Sequence, residues 1–244
     1  MTEIPSLLKL MHGDCLELLA TLPDGEVDMV LSDPPYGVTR NRWDCQIDMK
    51  QLWPELIRVT KDNAAIIMTA APPYDKVLAC SNLKLFRYDW VWEKGNATGH
   101  LNAKRMPLKA HENVLVFYKR PPIYCPQKTV GHKPVNAFYS RHSGNNYGAA
   151  ETSTKGGGNT TRYPRTVQRF KSDKQTNNRH PSQKPLALLQ YMLRTYTKPG
   201  DLVLDFCMGS GSTGEACRNE GRQFIGIEND REIFATTQAY LQAA

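Results

Sequence analysis

Six consecutive residues near the start of the chain, Ser32-Asp33-Pro34-Pro35-Tyr36-Gly37, combine a carboxylate, a stiff backbone and an aromatic face. That set suits one chemical task, the methylation of an aromatic amine. The lone pair of such an amine is delocalised into its ring, so the nitrogen is a poor nucleophile. Two acceptors on its protons, the Asp33 carboxylate and the Pro34 carbonyl, would draw it toward tetrahedral geometry and free the pair. Pro34 and Pro35 have fixed φ angles and hold that carbonyl still. The Tyr36 ring offers a stacking face for a base swung out of its helix, worth about 1–3 kcal/mol by analogy with single-strand binders. It would also tolerate a sulfonium nearby.

The chain carries its own control for this reading. Ala71-Pro72-Pro73-Tyr74 repeats the dipeptide and the tyrosine but has alanine where the acid should stand. It reads as a structural turn, and Asp33 is what makes the first copy chemical.

A second constellation lies 172 residues further on, at Asp205-Phe206-Cys207-Met208-Gly209-Ser210-Gly211-Ser212-Thr213. Glycines at 209 and 211 let a ligand approach the backbone where a Cβ would clash. The next apolar run ends in Glu228, followed by Asn229, and an acid there suits the two hydroxyls of a ribose. Residues 209–214 also satisfy the dinucleotide pattern G-x-G-x-x-G, so an NAD reading stands beside this one. Asp205 argues against it. A carboxylate just before the glycine turn suits a cationic amine, such as the ammonium of a methionine moiety, better than a pyrophosphate.

These residues need elements to position them, and the apolar periodicity supplies a set. Strands are predicted at 8–11, 27–31, 64–69, 88–92, 114–118, 202–206 and 224–228. Helices are predicted at 15–22, 48–60 (with Pro54 disturbing its regularity), 75–81, 186–196, 213–220 and 231–241. The alternation implies an α/β fold with a mostly parallel, doubly wound sheet. Both acids then fall just past the carboxyl ends of strands, the edge where such sheets bind ligands.

Between 120 and 179 the rhythm stops. Gly, Asn, Ser and Thr dominate, and the stretch reads as an inserted lobe rather than sheet. It divides the chain into a first half at 1–119, the lobe at 120–179 and a last part at 180–244. From Lys119 to Arg179 twelve basic residues face two acids, Glu151 and Asp173. That local charge of +10 in a chain of net +7 leaves the remainder at −3. Concentrated positive charge on a near-neutral body points to a polyanion, nucleic acid above all. Arg162, Arg165 and Arg169 are the candidates to enter a groove.

The six cysteines form no Cys-x-x-Cys pair and have no histidine at zinc-ligand spacing, so they read as reduced, mostly buried small hydrophobes and no metal is expected. No apolar run approaches a bilayer span and residues 1–14 lack the pattern of a signal peptide, which makes the cytoplasm the expected location. A Pro-Cys dipeptide, the nucleophile of cytosine C5 methylation, does not occur.

With these motifs in hand, almost the whole chain resembles the beta-class, permuted DNA amino-methyltransferases, which act on adenine N6 or cytosine N4. There the catalytic tetrapeptide comes first, the target-recognition region second and the cofactor loop last. The resemblance implies a Rossmann-like fold, S-adenosylmethionine as cofactor and double-stranded DNA as partner. It assigns Asp33, Pro34, Pro35 and Tyr36 to catalysis. It places Asp14 and Cys15 near the cofactor adenine, and Ser182 and Lys184, within His180-Pro181-Ser182-Gln183-Lys184-Pro185, at the methionine carboxylate. Asp205, Phe206, Gly209, Gly211, Ser212 and Thr213 become the methionine loop, with Glu228 and Asn229 at the ribose. For His180 a capping or packing role is as good a reading. An acid leading the tetrapeptide implies adenine N6, with cytosine N4 as the alternative. RNA or protein-glutamine methylation fits less well, since their tetrapeptide is commonly led by Asn. A relic that only binds DNA would not keep Asp33, Tyr36, Asp205 and Glu228 together. Members of this class often self-associate, so a homodimer belongs to the same expectation.

Overall fold

The computed structural model describes residues 8–37, 44–142, 152–171 and 183–243. It divides into two compact units, Met1–Cys125 with Thr166–Ala244, and Pro126–Arg165.

The larger unit runs β1(Leu8–His12), α1(Cys15–Leu19), β2(Val27–Ser32), α2(Met49–Val59), β3(Thr60–Ala70), α3(Tyr74–Ser81), β4(Phe86–Thr98) and β5(Lys109–Phe117). After the smaller unit's β6(Phe138–His142) and β7(Thr152–Gly156) come β8(Val167–Phe170), α4(Leu186–Tyr196), β9(Leu202–Asp205), α5(Ser212–Asn219), β10(Gln223–Glu228) and α6(Arg231–Ala243). Eight strands form one sheet in the order β1-β10-β9-β2-β3-β5-β4-β8. Only the two pairings made by β5 are antiparallel; the other five are parallel.

Period-two alternation explains the layers. Val30, Ile66, Met68, Leu115, Phe117 and Leu204 bury one sheet face against Leu19 of α1, Leu52 and Leu56 of α2 and Leu78 of α3. Their neighbours Met29, Leu31, Ile67, Val114, Val116 and Val203 bury the other face against Leu188, Met192 and Leu193 of α4 and Leu241 of α6. Strands apolar on both faces require helices on both sides, and the chain supplies three for each.

Three expectations are corrected here. Helix α2 runs without interruption through Pro54, which forfeits one backbone hydrogen bond but sits between Trp53 and Leu56, both buried. Within 120–179 the chain is not all outside the sheet: β8 pairs with β4, matching Val91 to Val167 and Lys94 to Phe170. Four residues of Val-Gln-Arg-Phe in polar surroundings are too short a run to announce a strand. The cysteines also divide differently, with Cys15 and Cys217 buried but Cys45, Cys80 and Cys125 exposed.

In the smaller unit β6 and β7 form an antiparallel hairpin, Phe138 opposite Gly156. A Cβ on Gly156 would lie 2.7 Å from the Phe138 ring, so only glycine lets that ring lie there. Lys128 Nζ stands 4.1 Å from the centre of the Tyr163 ring.

Candidate active site

Parallel pairing of β2 with β9, Met29 to Val203 and Val30 to Leu204, puts the two acid-bearing turns side by side. Ser32, the last residue of β2, donates from Oγ to Asp205 Oδ1 at 2.7 Å. One cavity of about 1210 Å³ opens over both turns. Its wall includes Asp33, Pro34, Pro35 and Tyr36 from one side and Asp205, Phe206, Gly209, Ser212 and Thr213 from the other.

Asp33 is crowded with donors. Tyr36 gives its hydroxyl to Oδ1 at 2.7 Å, and Thr69, from the end of β3, gives its hydroxyl to the same oxygen. Lys184 Nζ lies 2.5 Å from Oδ2. The same ammonium is 3.4 Å from Glu112 Oε2, and Lys94 Nζ is 2.6 Å from Glu112 Oε1. Two lysines and two carboxylates thus alternate along the cavity wall. Burial alone would lower the Lys184 pKa, but the charges of Asp33 and Glu112 raise it well above the ordinary lysine value. Burial, which would raise the Glu112 pKa, is outweighed by Lys184 and Lys94, and the group stays below its usual range. The Tyr36 hydroxyl is pushed well above its ordinary value by burial and by Asp33.

Asp205 is 2% exposed, and its donors are neutral: Ser32 Oγ, the Thr213 hydroxyl and the Cys207 N–H at 3.1 Å. Desolvation raises its pKa from 3.8 to about 6. Glu228, at the end of β10, accepts from Gly209 N at 3.0 Å and Asp230 N at 2.8 Å, and burial raises it as well. Asp14 caps α1 through Leu16 N at 2.8 Å, and Gly13 N binds Glu228 O at 3.0 Å. Asp14, Cys15, Glu228 and Asn229 all border the cavity.

The two loop glycines have different reasons. Gly209 has φ +48 and borders the cavity, with open space where a Cβ would stand. Gly211 has φ +75 and is not part of the cavity wall; a Cβ there would meet Thr237 of α6 at 2.7 Å. It lets α6 pack against the loop.

Residues 27–239 match the family model for DNA methylases. The chain belongs to this N6/N4 DNA methylase family. It is 30% identical over 241 residues to DNA adenine methyltransferase YhdJ of Escherichia coli (strain K12), covering 91% of this chain and 79% of the relative. Among solved structures it is similar to the M1.HpyAVI–SAM complex, at 23% identity with a TM-score of 0.65, covering 97% of this chain and 99% of the other. The PvuII DNA methyltransferase (cytosine-N4-specific) gives 17% identity and a TM-score of 0.66, with 96% and 86% covered. These two likenesses bear on the fold: the methylase has the Rossmann-like, mostly parallel sheet of such enzymes.

The remaining expected site residues scatter. Lys184 stands on Asp33 and Glu112. Ser182 and His180 lie outside the described residues. Arg169, on β8, borders the cavity with its Nε 3.9 Å from Glu93 Oε1. Arg162 and Arg165 belong to the smaller unit. There Arg162 donates to three backbone carbonyls, Lys133 O at 2.6 Å, Asn159 O at 2.9 Å and Thr161 O at 3.0 Å.

Sequence reasoning does not find Thr69, Lys94 or Glu112. Thr69 closes an apolar run that reads only as core. Lys94 and Glu112 sit on facing strands of the β4–β5 hairpin, Glu112 being matched to Trp92, and pair only because β5 runs antiparallel. The usable signal is a Lys and a Glu flanking two predicted strands. The second Pro-Pro-Tyr is a turn as expected, and it also supports the first: Tyr74 is 4% exposed and its ring stacks on Tyr36, centres 5.3 Å apart.

No helix among the described residues is long and apolar enough to cross a membrane.

Proposed function

We propose that this methylase transfers a methyl group from S-adenosylmethionine to the exocyclic N6 of an adenine turned out of double-stranded DNA. The observation that carries the reading is the direct β2–β9 pairing, which sets an acid ringed by donors and an acid without a cation among the described residues on one cavity. The adenine preference rests on the acid leading the tetrapeptide and on the likeness to the Escherichia coli adenine enzyme.

The residues fit the cofactor. A buried carboxylate held only by neutral donors is stabilised by an arriving ammonium, and among the described residues Asp205 is such a group. Gly209 leaves space beside the loop, while Glu228 and Asn229 stand ready for a ribose and Asp14 and Cys15 for the adenine. Phe206, Ser212 and Thr213 complete that wall. The cavity exceeds the roughly 300–1,000 Å³ usual for one small ligand, as a site for a cofactor and a base together requires. When bound, the cofactor supplies an electrophilic methyl group on a sulfonium.

The chain's own residues prepare the amine. Tyr36 and Thr69 fix one oxygen of Asp33 and orient the carboxylate, which then accepts an amine proton while the Pro34 carbonyl accepts the other. Pro35 stiffens that turn. Lys184 neutralises Asp33 in the free site, and Glu112 offers it a second carboxylate when the amine takes its place. Arg162, Arg165 and Arg169 serve the DNA, with Arg169 the best placed to act at the cavity. Self-association as a homodimer and action in the cytoplasm belong to the same reading.

The test is incubation with methyl-labelled S-adenosylmethionine and mixed-sequence duplex DNA, followed by digestion. Label in N6-methyladenine is expected. Label solely in N4-methylcytosine would overturn the base, and label in no nucleoside would overturn the function.

A further inference from the structure

Strand β4 is antiparallel to β5, which is antiparallel to β3, so β4 runs in the direction of the parallel strands. Its end and the start of β5 therefore emerge at the edge that carries Asp33 and Asp205. Lys94, Gly95, Asn96 and Thr98 already border the cavity. Beyond them the hairpin continues to a tip that the chemistry leaves unused. The tip is compact: a single 3₁₀ turn at His100–Asn102 is followed by hydrogen bonds from Arg105 N to Asn102 O at 2.8 Å and Met106 N to Asn102 O at 3.0 Å.

Two properties of this tip coincide. Lys94 is held by Glu112, and between Gly95 and His111 the chain has three more cations, Lys104, Arg105 and Lys109, and no acid. Leu101 is completely exposed and Met106 is half-exposed. A lone exposed leucine is ordinary on a protein surface. This one stands on an ordered turn, in a segment rich in cations and without an acid, three residues beyond Thr98 of the cavity wall. Proteins that open a base stack use this combination, cations for phosphates and an apolar side chain to enter the stack.

We infer that the β4–β5 hairpin tip is a DNA contact separate from the basic lobe, with Lys104, Arg105 and Lys109 on the phosphate backbone and Leu101 filling the gap left by the extruded base. The inference rests on the proposed DNA-methylating function. It gives the tip two separable duties, since cations act on any sequence while the wedge matters only where a base must leave its stack.

The experiment uses the full chain and two variants, Leu101→Ala and the triple Lys104→Ala, Arg105→Ala, Lys109→Ala. For the triple variant, the log–log slope of DNA affinity against salt should flatten by about 0.9 for each phosphate that the protein no longer neutralises. For Leu101→Ala the slope should not move. Its kcat/KM on fully paired DNA should instead fall about tenfold, with a smaller fluorescence rise from 2-aminopurine at the target position, while DNA carrying the target opposite an abasic site is methylated as by the parent. Cofactor affinity and melting temperature should match the parent in both. An unchanged slope in the triple variant, together with parental kinetics of Leu101→Ala on paired DNA, would overturn the inference. So would a loss of oligomeric mass on Leu101→Ala in sedimentation, which would make the tip a contact between copies. A parent that neither binds nor methylates DNA would bring down the function itself, and that outcome is read before either variant.

Discussion

Asp33 and Asp205 end neighbouring strands and face one cavity, yet they are kept in opposite ways. Asp33 has a lysine at 2.5 Å and two hydroxyl donors, and it is partly open to solvent. Asp205 is buried, its donors among the described residues are all neutral, and its carboxyl is raised to about 6. A charge that arrives with its counter-ion suits a group that must exchange partners during a reaction. A charge left uncompensated suits a group whose partner is the ligand. On the proposed reading, a single strand pairing separates handling the target from holding the cofactor.

The largest test of that division is Asp33→Ala. We expect methyl transfer to fall on the order of 10³-fold, within the range that positioned acid–base groups contribute. Cofactor affinity, measured by calorimetry, should stay near that of the parent. Equal loss of cofactor affinity on replacing Asp33 and Asp205 would erase the distinction.

Next in size is Asp205→Asn, which keeps the shape and removes the charge. Leaving a ligand ammonium unpaired should weaken S-adenosylmethionine binding about 100-fold, close to 3 kcal/mol. The same substitution should stabilise the free protein at neutral pH. In the fold Asp205 holds its proton up to about pH 6, whereas in the unfolded chain it loses it near 3.8. The free protein therefore loses stability as pH rises between these values and lies on the low plateau above 6. Thermal melts of parent and variant across pH 4–8 would show it, and a variant less stable than the parent at pH 7 would contradict it.

A third test uses pH alone. An ammonium needs the ionised carboxylate, so cofactor affinity should be flat above about pH 6 and fall about tenfold per unit below it, one proton being taken up for each cofactor released. In Asp205→Asn the slope should flatten, leaving only the contribution of Glu228, which burial raises in the same direction. A parental profile in the variant would mean another group holds the ammonium.

The smallest expected effect is Tyr36→Phe. It removes one donor to Asp33 and keeps the ring that stacks on Tyr74. One hydrogen bond of about 1 kcal/mol predicts a loss of about fivefold in kcat with KM nearly unchanged. A change in KM alone would assign Tyr36 to binding rather than to orienting the acid.

Much of this architecture is legible in the amino-acid sequence. Strand and helix patterns place β2, β9, β10 and α4 within a residue or two, because each is a short apolar run closed by Gly, Pro or an acid. The turn at Asp33 is readable because its chemistry lies within consecutive residues. The Lys94–Glu112–Lys184 chain is not, because it depends on an antiparallel strand whose direction no local pattern reveals. Arg162 is a different case. Its type and neighbourhood suggest a groove contact, and the fold adds what they do not show, three carbonyls of its own unit on the guanidinium. Composition says how many cations a segment has, and only the folded arrangement says which are already occupied.

The strand order has a further consequence, in time rather than in space. β1 lies beside β10, and Leu8 is matched to Phe224 across 216 residues of chain. β9 and β10 fill the gap between β1 and β2, so the sheet's own interior is among the last parts to be made. During synthesis β2, β3, β5 and β4 can pair early and bury Asp33's neighbours, but β2 keeps one bare edge until β9 follows. Such distant pairing is slow to close and leaves a strand edge exposed to other chains meanwhile. On the proposed reading, a nascent chain therefore carries the turn at Asp33 long before the loop after β9 that would hold its cofactor.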